Sequence, residues 1–115
     1  EEMAKLSSLY LDGNRIGDIR PLKKLKWLSS LDLTDNFINN VMPLSGMTEL
    51  RYTMLNKNRI SDISALVIMA IKDSKGDRRF APYWNLYLAG NPLSDSSKTV
   101  HLAELKDIGV RVSMK

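Results

Sequence analysis

The sequence predicts an α/β fold: a right-handed solenoid with a parallel sheet on its concave side, short helical turns on its convex side and a helical cap at the C-terminal end. Two observations predict it. First, asparagine recurs at Asn14, Asn36, Asn58 and Asn91, in steps of 22, 22 and 33 residues. A leucine stands three residues before each (Leu11, Leu33, Leu55, Leu88), and an aliphatic two residues after (Ile16, Ile38, Ile60, Leu93). Self-similarity at a fixed period marks an array of one small unit. Second, the hydrophobic period changes inside the unit. Leu28-Ser-Ser-Leu31-Asp-Leu33 alternates with period 2, which is strand chemistry with one buried face. Ile19-Arg-Pro21-Leu22-Lys-Lys-Leu25 moves in steps of three with Pro near the start, which suits a 3₁₀ or single α turn. One such coil cannot bury its own leucines, and stacking coils does.

Taken in order, the units run over about residues 6–27, 28–49, 50–82 and 83–93, followed by a cap over 94–115, all in one domain of residues 1–115. The third unit carries an 11-residue insertion, since its asparagine step is 33 rather than 22. Ser64–Asp73 has no breaker and places Leu66, Met69 and Ala70 at helical spacing, so an α-helix is expected there, with Ser61, Asp62 or Ser64 as N-cap. Val67, Ile68 and Ile71 are expected to pack on the insert's own loop. Pro82 sets the chain extended for a strand over Tyr83–Leu88. Ser94–Asp107 reads as a helix of about three turns with Leu102, Ala103 and Leu105 inward. Gly109 ends that helix, and Val110–Val112 adds a last short strand. Trp27 and Trp84 are expected at the strand entrances, packed on neighbouring coils.

Each asparagine has a structural task. A tight turn after a strand strips backbone groups of their ladder partners, and a buried amide offers two donors and an acceptor in their place. Asn14, Asn36, Asn58 and Asn91 are therefore read as a ladder holding the coils together.

This pattern resembles the leucine-rich repeat family, written L-x-x-L-x-L-x-x-N-x-I/L. Leu28-Ser-Ser-Leu31-Asp-Leu33-Thr-Asp-Asn36-Phe-Ile38 fits every fixed position, and so does the stretch from Leu6 to Ile16. The 22-residue unit with Asp18-Ile19-x-Pro21-Leu22 is similar to the internalin-like and phosphatase-regulator-like subclass. The stretch Phe80–Ser94, closing with Leu105–Val110, is similar to C-terminal repeat modules of environmental bacterial proteins. Thr53 and Tyr83, each in a leucine slot, depart from the pattern. The family implies a non-catalytic module that binds another protein on the concave face. There the central row is Tyr10, Asp32, Met54 and Tyr87. One flanking row holds Ser8, Ser30, Tyr52 and Asn85; the other holds Asp12, Thr34, Asn56 and Ala89. Tyr10, Tyr52, Met54 and Tyr87 would anchor a partner, while Asp32 and Asn56 would orient it.

Composition sets the remaining bounds. The chain has 115 residues, no Cys and a net charge of +4, so disulfides and thiolate metal sites are excluded. No cofactor is expected. No apolar run approaches the roughly 18 residues of a membrane span. The opening Glu1-Glu2, without Met or signal peptide, suggests a piece of a longer protein. The compartment stays open, with a bacterial envelope or secreted setting weakly favoured. Two other functions remain in view: a spacer module of a larger envelope protein, and polyanion or nucleic-acid binding by the basic insert (Lys72, Lys75, Arg78, Arg79). Lys23, Lys24 and Lys26 fall on the convex turn of the first unit. Catalysis is not expected, because His101 is the single histidine and Asp95, Ser96 and Ser97 are neighbours in sequence only.

Overall fold

A computed structural model describes residues 7–76 and 80–115. Leu6, Arg78 and Arg79, named above in the first unit and in the basic insert, lie outside the described residues. Five strands form one parallel sheet in chain order: β1 Ser8–Tyr10, β2 Ser30–Asp32, β3 Tyr52–Met54, β4 Asn85–Tyr87 and β5 Arg111–Ser113. The register follows the repeat. Leu9 pairs with Leu31, Leu31 with Thr53, Thr53 with Leu86 and Leu86 with Val112. The 11-residue insertion leaves it undisturbed, because its extra chain lies on the far side of the coil. Arg20–Lys24 and Met42–Leu44 form 3₁₀ turns with Pro21 and Pro43 in their first positions, where the fixed φ suits the turn.

The core runs between the sheet and these turns. Leu28, Leu31, Leu33, Ile38, Leu44, Met47, Leu50, Leu55 and Ile60 are fully buried. The equivalent residues of the first coil, Leu9, Leu11, Ile16, Leu22 and Leu25, are only partly buried.

The longest helix, α1, spans Ser64–Lys75. Its N-cap position is Ile63 and has no side-chain cap, contrary to the expectation of Ser61, Asp62 or Ser64 in that role. Asp62 serves instead from one residue earlier, its Oδ1 accepting the Ser64 N–H at 2.8 Å. The same bridge recurs at Asp18 to Arg20 and at Asn40 to Met42, both at 3.0 Å. It is an Asx turn that starts each convex segment. Val67 is buried in the core and Ile71 packs partly against it, whereas Ile68 is 66% exposed rather than covered as expected. Asp73, itself buried, accepts the N–H groups of Phe80 and Ala81 at 3.1 and 2.9 Å and so ties the end of the insert to α1.

The expected strand over Tyr83–Leu88 is shorter. Ala81–Tyr83 forms a third 3₁₀ turn, with Pro82 inside it, and the strand begins at Asn85. Tyr83 turns outward at 52% exposure, while Phe80 and Trp84 are fully buried with ring centroids 5.0 Å apart. Trp84 donates its indole N–H to Thr53 Oγ1 at 2.9 Å. The departure at Thr53 is thereby explained: a leucine there would leave that buried donor without a partner. Trp27, in contrast, is 57% exposed and does not pack as expected.

The cap begins with a π turn over Ser97–His101 and continues as α2, Leu102–Ile108. Gly109 ends it at φ 112°, in the left-handed region. Leu102 and Leu105 face inward, but Ala103 is exposed. The last strand sits one residue beyond the expected Val110–Val112, with Val110 buried ahead of it.

Candidate functional site: the concave sheet face

Side chains alternate across a strand, so burying Leu31, Thr53 and Leu86 turns their neighbours to the concave face. Strand register then builds the rows. Tyr10, Asp32, Met54 and Tyr87 stand in line, followed by Ser113; Ser8, Ser30, Tyr52 and Asn85 are followed by Arg111. Arg111 and Ser113 are members that the repeat pattern does not reveal, because β5 lacks the flanking leucines. Tyr10 and Tyr52 are 62% and 48% exposed. Met54 and Tyr87 are half-buried. At the strand-entry rim the Arg51 guanidinium lies over the Tyr83 ring, 5.0 Å from its centroid. On the opposite rim Arg59 lies 4.2 Å over Phe37.

The polar members are held by the backbone. Asp32 Oδ1 accepts the Thr34 N–H at 3.0 Å. Asn56 Oδ1 accepts the Ala89 N–H at 2.8 Å, and among the described residues its amide nitrogen has no acceptor. Asn85 donates to the carbonyls of Arg51 and Tyr83 at 3.2 and 3.4 Å. Asp12 is exposed and Thr34 half-buried. Among the described residues no three His, Asp or Glu side chains converge on a point.

Beneath this face run the asparagines. Asn36 Oδ1 accepts the N–H groups of Asn14 and Ile16 at 3.0 and 2.8 Å. Its amide nitrogen reaches the carbonyls of Leu11, Leu33 and Thr34 at 3.0, 2.9 and 3.2 Å. Asn58 reaches Leu33, Leu55 and Asn56 in the same way, and Asn91 reaches Leu55, Leu88 and Ala89. Each therefore bonds its own coil and the one before. Asn14 bonds only the Asp12 carbonyl through its side chain. The residue before each asparagine is left-handed: Gly13 at φ 71°, Asp35 at 60°, Lys57 at 59° and Gly90 at 76°.

Ser97 and His101 meet, Oγ to Nδ1 at 2.9 Å, but Ser97 is fully buried and its Oγ also accepts the Ile63 N–H at 3.1 Å. The pair pins the cap to the start of α1.

Comparison with known proteins agrees with this geometry. A family model described as Leucine Rich repeats (2 copies) matches residues 4–46. Among solved structures, internalin C2 of Listeria monocytogenes matches at 29% identity with a TM-score of 0.67, over 93% of this chain. The described chain has the leucine-rich repeat fold. No curated protein matches its sequence. The repeat spans 41% of the internalin C2 chain. Internalin-like leucine-rich repeats serve in general as protein-interaction modules without catalytic chemistry. No described helix of this repeat is long and apolar enough to cross a membrane.

Proposed function

We propose that the concave face binds another protein, with Tyr10, Tyr52, Met54 and Tyr87 as anchors, Asp32 and Asn56 setting the orientation, and Asp12, Thr34 and Asn85 completing the contact surface. The observation that carries this reading is the exposure of Tyr10 and Tyr52 on a sheet whose backbone is fixed from below by the asparagine ladder. Tyrosine offers a large contact area with few rotatable bonds, and Tyr, Trp and Arg dominate interface hot spots. Arg51, Tyr83 and Arg111 extend the same chemistry along the strand-entry side. A preformed face loses little conformational freedom on binding.

Binders selected from a displayed protein library against the intact domain test this. Tyr52→Ala and Tyr87→Ala should each weaken most of them by about 10-fold or more, with an unchanged thermal midpoint. Met42→Ser on the convex side should leave them unaffected. Binders that tolerate all the tyrosine variants equally would remove the concave face from consideration and leave the spacer role.

A further inference from the structure

Five lysines gather on the convex side: Lys23 and Lys24 in the first 3₁₀ turn, Lys26 just after it, and Lys72 and Lys75 three residues apart on one face of α1. Four of them, all but Lys75, border two hollows. One, of about 370 Å³, has Lys23, Lys24, Lys26 and Met42 in its lining, together with Ser45 and Gly46. The other, also about 370 Å³, has Lys72, Asp73 and Met69 in its lining, again with Ser45 and Gly46. Both share Ser45 and Gly46, so the hollows lie on either side of one low, uncharged ridge.

Among the described residues the single ion pair is Arg20–Asp18, and none of the five lysines has a carboxylate partner. Asp73, the acid in the second hollow, is turned inward onto the N–H groups of Phe80 and Ala81. In a chain of net charge +4, these lysines form a basic band on the first and third coils.

We infer that this trough binds a linear, densely anionic polysaccharide. Charge complementarity is the argument, and the lining refines it. The coils that carry the lysines are two strand spacings apart, roughly 10 Å, so an occupant must present anions along an extended line. The described cations that line the two hollows are all Lys, a point charge rather than the Arg fork that grips a phosphate or carboxylate in two-point fashion. Neither hollow is lined by an aromatic ring on which a nucleobase could stack. This surface is separate from the concave face, so either reading can fail without the other.

Retention on immobilised heparin tests the inference. At physiological salt the domain should bind, and the logarithm of affinity should fall against log salt with a slope of about 4, as counterion release from five contacts requires. Replacing Lys23, Lys24, Lys26, Lys72 and Lys75 by Gln should cut affinity by at least about 10-fold with an unchanged thermal midpoint. Replacing Lys57, Lys98, Lys106 and Lys115 by Gln should change it little. Equal losses in the two variants would show a response to net charge alone and overturn the site. So would absence of retention by the parent domain, or tighter binding of a charge-matched single-stranded oligonucleotide.

Discussion

At the scale of single residues, identical asparagines have unequal duties. Asn36 is buried and serves five backbone groups, whereas Asn14 is exposed and its side chain serves one. Orphaning a buried backbone group costs about 1–3 kcal/mol, and relaxation recovers part of the sum. Asn36→Ala should therefore destabilise by about 3 kcal/mol or more, and Asn14→Ala by less than about 1 kcal/mol, as read from urea unfolding. Equal costs would mean that the ladder contributes nothing beyond local turn preference. The Asx turns give a pH effect. Hydrogen bonds from the Arg20 side chain, then from its backbone N–H, hold the Asp18 carboxyl at about 2. The Ser64 N–H lowers Asp62. A carboxylate with a depressed folded pKa binds fewer protons when folded, so its stabilisation is present above the unfolded value of about 3.9 and fades as pH falls towards 2. The double variant Asp18→Asn, Asp62→Asn keeps the turn acceptor, as Asn40 already does, and its urea midpoint should vary less than the parent's across that window. Parallel curves would remove the two carboxylates from the acid response.

Among elements, β1 to β3, the 3₁₀ turns at Pro21 and Pro43, and α1 were legible because they are local. A change of hydrophobic period and a proline at the turn's start occupy adjacent residues. The pairing of Thr53 with Trp84 was not legible, because its partners stand 31 residues apart and of the two only Thr53 departs from the repeat. Trp27 was misplaced for a related reason: aromatic character alone does not say which side of a strand entrance is covered. On the candidate site, register supplied both rows up to β4, whereas Arg111 and Ser113 needed the fifth strand to be placed. The Thr53–Trp84 pair is open to a double-mutant cycle. Thr53→Val should cost about 1–3 kcal/mol by stranding the indole N–H. In the background of Trp84→Phe the same change should cost much less. Additive costs would show that the hydrogen bond is incidental.

For the whole molecule, stability should follow the stack. Leu31, Leu33, Ile38, Leu44 and Met47 are fully buried, but their counterparts in the first coil are only partly buried. The C-terminal side is closed by Leu102 and Leu105 of α2. Repeat proteins gain stability largely from contacts between neighbouring units. Native-state hydrogen exchange should therefore protect Leu33 and Leu55 amides more than Leu11, and uniform protection along the coils would contradict this. The insertion in the third coil carries one more consequence. Its extra chain alters neither the pairing of β3 with β4 nor the order of the rows. The outer perimeter of a coil is thus free to lengthen, shorten or change charge while the inner surface keeps its spacing, so selection can reshape one side of this protein without renegotiating what the other side recognises.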